Sequence, residues 1–157
     1  MIKLLIVEDD LNKKEQLLQL VAQRFPAFEV RTAESLIGGV RVLRQWQPDL
    51  VVLDMTLPNY DPGADGGSSG GMEAFGGEEF LRQADRFGLT PTVIVVTQFE
   101  TFGDLGESKD RDELAAHLIQ AFPRTYQGMV YYHASLNAWA DELETSIRSA
   151  LRGALKT

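Results

Sequence analysis

Four groups able to do chemistry follow directly on apolar runs in this sequence. Glu8 and Asp9 end the run of residues 2–7, Asp54 ends Leu50–Leu53, and Thr97 ends the run of residues 92–96. A carboxylate at the end of a buried strand is costly unless a cation or hydrogen-bond donors meet it. Three of them in one place would repel one another by roughly several kcal/mol at a low effective dielectric. A hard divalent cation such as Mg2+ resolves that repulsion, because it takes carboxylate and carbonyl oxygens and keeps some of its waters. Such a cation also shares the oxygens of a phosphoryl group and neutralises the charge that moves during transfer. One carboxylate held in line can then act as nucleophile and form an acyl phosphate. A lone acid at a strand end is ordinarily a solvated loop residue. The same pattern at three strand ends is far more specific.

The elements that must position these groups follow from periodicity. Residues 2–7 are an apolar strand signal broken only by Lys3, and Leu50–Leu53 is apolar on both faces, as in interior strands of a parallel sheet covered by helices. A short alternating strand is expected at residues 28–32, an unbroken one at 92–96 and a fifth at 129–132. In the first helical stretch Leu17, Leu18, Val21 and Phe25 face inward, which leaves Lys13, Lys14, Glu15 and Gln16 outside. Asp10 or Asn12 caps its start and Pro26 ends it. Ser35 caps a second helix that runs to Trp46, with Leu36, Val40 and Leu43 inward. A third is expected over residues 78–87, with Phe80, Leu81, Ala84 and Phe87 inward and Gly88 as its stop. A fourth covers residues 112–122, and a long last helix begins near Asn137 and carries Trp139, Leu143, Ile147, Ala150 and Leu151. Strands alternating with helices predict an α/β fold of βα units with right-handed crossovers and helices on both faces. In such a sheet ligands gather outside the carboxyl ends of the strands, where all four groups fall.

No internal repeat or linker divides the chain, so residues 1–157 are expected to form one domain. Two connections are long: a Gly-rich insertion at residues 63–77, which holds seven glycines, and a lengthened loop at residues 99–110. The insertion lacks the Gly-Lys-Ser/Thr ending of a phosphate-cradling loop. A net charge of −8 argues against nucleic acid or an anionic membrane as direct partner. Without cysteine, disulfides and thiolate metal sites are excluded. The N-terminal apolar run is too short for a signal peptide or a membrane span, so a soluble, cytoplasmic protein is expected.

With these residues in view, the sequence resembles the receiver domains of two-component response regulators. The resemblance is carried by IKLLIVEDD at residues 2–10, by Asp54 in LVVLDMTLP, by the GGEEFL run ending at Leu81, and by Thr97 after TVIVV. It implies a flavodoxin-like, doubly wound, five-stranded parallel sheet of order 2-1-3-4-5. It further implies that Asp54 is the phosphoacceptor and that Glu8 and Asp9 hold Mg2+, with the backbone carbonyl of Thr56 completing the metal site. Thr97 would be the switch hydroxyl, followed inward by an aromatic of the fifth strand, Tyr131 or Tyr132. A histidine kinase or phosphotransfer protein would supply the phosphoryl group, and a non-enzymatic protein contact would carry the signal.

The chain departs from that pattern in one conspicuous place. The family has a Lys at the end of strand five, whereas Tyr131, Tyr132, His133, Ala134, Ser135 and Leu136 follow one another here. His133 supplies a cation only when protonated, and Lys109 lies in the long loop after strand four. Gln98 replaces the usual small residue after the switch hydroxyl. These departures make a pseudo-receiver, a phosphorylation-independent interaction module, the competing expectation. A haloacid-dehalogenase-type phosphohydrolase fits less well, because Thr56 stands where its second acid belongs.

Overall fold

The computed structural model describes residues 1–58, 72–73, 76–98, 101–102, 109–133 and 137–155. Ten elements make the main body: β1 (Lys3–Val7), α1 (Leu11–Arg24), β2 (Glu29–Ala33), α2 (Leu36–Trp46), β3 (Leu50–Leu53), α3 (Gly76–Arg86), β4 (Thr92–Thr97), α4 (Arg111–Ala121), β5 (Tyr126–Tyr131) and α5 (Ala138–Leu155). The strands are parallel throughout and lie in the order β2-β1-β3-β4-β5. This is the expected doubly wound, flavodoxin-like sheet.

Strand alternation divides the core into two layers. Leu4 and Ile6 of β1, Leu50 and Val52 of β3, and Ile94 and Val96 of β4 pack with α1 and α5 through Leu17, Val21, Leu143 and Ile147. Leu5, Val7, Val51, Leu53, Val93 and Val95 pack on the other face with α2, α3 and α4. Side chains on a strand alternate between faces, so each strand end inherits its face by parity. Glu8 and Asp54, one step beyond Val7 and Leu53, return to the face of α1. Thr97 falls on the face of α3 and α4.

Several boundaries differ from expectation, each for a local reason. Helix α3 begins at Gly76, two residues before the expected start, so Gly76 and Gly77 belong to the helix rather than to the Gly-rich insertion. A Cβ on Gly77 would stand 2.6 Å from the Asp54 carbonyl oxygen and 2.9 Å from Met55 Cα, so only glycine lets the helix start so close to β3. Phe87, expected inward, is 39% exposed just past the helix, with the Arg44 guanidinium stacked on its ring. Strand β5 starts at Tyr126, where sequence reading placed its beginning at Met129. Gln127 and Gly128 break the apolar run, but Tyr126 and Gly128 pair with Val93 and Ile94 of β4, with Gln127 as the extra residue of an irregularity between them. In the long connections, Leu57–Pro58 pairs with Met72–Glu73 and Thr101–Phe102 with Lys109–Asp110, both antiparallel. The rest of the Gly-rich insertion and of the loop at 99–110 lies outside the described residues. Among the described residues no helix is long and apolar enough to cross a membrane.

Candidate functional site

The register of the sheet gathers the strand ends. Val7 pairs with Leu53, so Glu8 lies beside Asp54, and the Asp54 amide donates to the Val7 carbonyl at 3.0 Å. Leu53 pairs with Val95, which puts Val96 and Thr97 next along β4. Carboxylate oxygens of Glu8, Asp9 and Asp54 lie within 4.8 Å of one another. Glu8 and Asp54 are 1% and 6% exposed and Asp9 is half-buried, so little water reaches the cluster.

A lysine that sequence reading placed outside proves to be the centre of this site. Lys13 is 1% exposed, and its ammonium is enclosed by three strand ends. Lys13 Nζ donates to the Val96 carbonyl at 2.6 Å and to Asp54 Oδ1 at 3.2 Å. It also lies 2.7 Å from Glu8 Oε1, and 5.8 Å from the centroid of the Tyr132 ring. The Glu8 contact is an ion pair without hydrogen-bond alignment, so buried Oε1 has no donor aimed at it, whereas Oε2 accepts from the Asp10 amide at 3.1 Å.

The start of α1 explains how Lys13 reaches inward. Asp10 is the N-cap, its side chain accepting from the Lys13 amide at 3.1 Å. That fixes Lys13 in the first turn, one helical step of four before Leu17 and eight before Val21, on the buried stripe. The signal was present in the sequence: extending the apolar stripe backward by four residues arrives at a lysine. Charge alone assigned it to solvent. The physical correction is that two buried carboxylates on the same face repay its desolvation.

Electrostatics follow from this enclosure. Burial pushes the Glu8 carboxyl up from 4.5 to about 8, with the neighbouring Asp54 adding to the rise and Lys13 opposing it. Asp54 is raised for the same first reason, burial, while Lys13 and the Thr56 backbone amide draw it down. Asp9 is raised as well, again chiefly by burial. With all three acids ionised, Lys13 leaves the cluster two negative charges in excess, which suits a divalent cation. The hard oxygen donors, their close approach and a buried Glu8 Oε1 without an aligned hydrogen bond fit Mg2+.

The other expected residues take distinct places. Thr97 is fully buried at the end of β4 and pairs in register with Tyr131. Both sit on the face of α3 and α4 by parity, so Tyr131 is the aromatic beside the hydroxyl. Tyr132 turns to the opposite face, 4% exposed, and packs on Trp139 with ring centroids 4.9 Å apart. Thr56 directs its amide at Asp54. Gln98 and His133 are exposed. Ala134, Ser135 and Leu136 lie outside the described residues, as does the side chain of Lys109.

Comparison with known proteins places the architecture. No family model matches the chain. It is 34% identical over 148 residues to the uncharacterized protein y4jR of Sinorhizobium fredii, covering 94% of this chain and 95% of that one, and the two belong to one family. It is 29% identical over 142 residues to the Detocs response regulatory protein DtcB of Enterobacter cloacae, covering 90% and 95% of the two chains. A protein-glutamate methylesterase/protein-glutamine glutaminase of Xanthomonas campestris is 30% identical over 152 residues, which is 96% of this chain but 37% of that enzyme. Among solved structures, the signal receiver domain of a LuxO repressor protein from Vibrio parahaemolyticus superposes with TM-score 0.68 at 22% identity, covering 97% and 91% of the chains. A response regulator receiver domain protein from Clostridium thermocellum gives 0.67 at 19% identity over 100% of both.

Proposed function

We propose that this chain is a receiver domain of the response-regulator family, as its likeness to DtcB and to the receiver structures supports, and that it is a phosphoacceptor of a two-component relay, modified on Asp54. The observation that carries this reading is the convergence of Glu8, Asp9 and Asp54 within 4.8 Å at the carboxyl edge of the sheet. Asp54 is the nucleophile: one of its carboxylate oxygens forms a bond to phosphorus as the donor's phosphorus–nitrogen bond breaks, and the leaving imidazole of a phosphohistidine takes up a proton. Glu8 and Asp9, with Asp54 and the Thr56 carbonyl, would hold Mg2+, which would neutralise charge on the transferring group. Thr97 donates its hydroxyl to the new phosphoryl oxygens, and Tyr131 on the same face follows it. The donor is a histidine kinase or phosphotransfer protein of the cytoplasm, and the output is protein contact without enzymatic activity of its own. The chain acts as one receiver module, with residues 63–77 and 99–110 as extended connections.

One observation favours a second reading. Lys13 already pairs with Glu8 and Asp54, so part of their charge is offset without metal or phosphoryl, as in a constitutive interaction module. Acetyl phosphate or fluoroberyllate with Mg2+ separates the two. The phosphoacceptor reading expects an adduct by mass spectrometry in the intact chain and none in Asp54→Asn. A label that persists in Asp54→Asn names the wrong acceptor, and no label at all leaves the constitutive module standing.

A further inference from the structure

Resting on the reading of Asp54 as phosphoacceptor, we propose that Lys13 is the cation that receives the phosphoryl group. At rest the same ammonium is an internal counter-ion that competes with the divalent metal for Glu8 and Asp54. The chain thus draws from the first turn of α1 the positive charge that its fifth strand does not provide.

The geometry supports both roles. Lys13 Nζ stands 3.2 Å from Asp54 Oδ1, so phosphoryl oxygens built on that carboxylate come within reach of a small rotation of the side chain. Acylation also moves the charge. The carboxylate that holds Nζ at rest becomes an uncharged ester-like carbonyl, while about −1.5 to −2 charges arrive on the phosphoryl oxygens. An ammonium on a flexible four-carbon stem follows that charge without moving its helix. The contact to Glu8 Oε1, close at 2.7 Å but not aligned as a hydrogen bond, is one the ammonium gives up as it turns toward the phosphoryl group. Releasing it frees Glu8 for the metal, so metal entry and phosphoryl capture draw the ammonium the same way.

The remaining contacts of Lys13 report its position to the sheet. Val96, whose carbonyl accepts from Nζ at 2.6 Å, immediately precedes Thr97. Tyr132, whose ring faces Nζ, donates its amide to the Thr97 carbonyl at 2.8 Å. Displacement of the ammonium is therefore felt where β4 meets β5, the strands that carry Thr97 and Tyr131.

The test uses the full chain, its Lys13→Met variant and Lys13→Gln as a second neutral replacement. Titration calorimetry with Mg2+ alone is expected to show binding about tenfold tighter in the variants, because a competing charge is gone. With saturating Mg2+, fluoroberyllate affinity is expected to fall about tenfold or more, the effect of losing a charge-assisted hydrogen bond. In the wild type, the 15N resonance of Lys13 Nζ should move on adduct formation, a readout that needs no variant to fold. If the wild type forms the adduct while both variants bind it equally well and the Nζ resonance stays in place, the inference is overturned and Asp54 remains the acceptor. If the wild type takes neither acetyl phosphate nor fluoroberyllate, the phosphoacceptor reading itself fails and this inference with it.

Discussion

The two edges of the sheet each hold a lysine, and they treat it in opposite ways. At the amino edge, Lys3 donates its ammonium to the Trp46 carbonyl at 2.7 Å, at the carboxyl end of α2, and lies 5.6 Å from the Trp46 ring centroid. Its amide donates to an Asp49 carboxylate oxygen at 2.9 Å, and the group stays in contact with water. A cation at a helix carboxyl terminus is a modest stabiliser. At the carboxyl edge, Lys13 is enclosed by Glu8, Asp54 and Val96, all nearly or fully buried. Burying three ionisable groups is a poor way to gain stability, since an apolar cluster of equal volume often does as well. The difference agrees with the proposed function: one edge uses charge to hold the fold, while the other tolerates a costly cluster at the proposed acceptor site.

The largest effect that sharpens this contrast is expected at Lys13. Removing one partner of a buried ion pair costs roughly 3–5 kcal/mol, so urea unfolding of Lys13→Met at pH 8 should show a loss of that order. At pH 5, where Glu8 holds its proton, the loss should shrink. An equal loss at both pH values would show that packing, not charge, is what Lys13 supplies.

Glu8 gives the next effect, with a defined sign. Its carboxyl is raised from 4.5 to about 8 on folding, so the folded state binds that proton more tightly than the unfolded chain. Stability from this source is complete below about pH 4.5 and is lost as pH rises through about 8. In metal-free buffer the wild type should therefore lose at least about 1.4 kcal/mol across that window, the worth of a single pH unit. Glu8→Gln should flatten the profile, and thermal melts at a series of pH values would reveal it. A wild-type profile that rises over this window would contradict the burial of Glu8.

Gly77→Ala tests the wall of the site without touching a charge. The added Cβ must push against the Asp54 carbonyl oxygen and Met55, an overpacking that costs about 1–3 kcal/mol. Because the strain lands on the backbone of Asp54, the proposed acceptor, labelling by acetyl phosphate should slow as well. The smallest effect belongs to the amino edge: Lys3→Ala should cost about 0.3–1 kcal/mol and leave labelling unchanged. A strong effect of Lys3 on labelling would abolish the distinction between the edges.

Much of this was legible from residues in order. The unbroken runs Leu50–Leu53 and TVIVV can only be interior strands, because both of their faces are apolar. Their last residues then have to lie at one edge of a parallel sheet. Boundaries were less legible where backbone pairing overrode side-chain pattern, as at Gln127 and Gly128 in β5 and at Gly76 and Gly77 in α3. Periodicity reads side chains, whereas a strand or a helix start is held by hydrogen bonds that any residue can make.

The sequence by itself determined the sheet, the strand ends and three of the four charged groups of the site. It also determined that strand five brings no lysine to Asp54. Only the tertiary structure decided that a lysine arrives from α1 instead, and that Tyr131 rather than Tyr132 stands beside Thr97. Strand parity is local and can be counted along the chain. Whether a lysine is buried depends on the carboxylates that meet it there, and those come from strands that only the fold brings side by side.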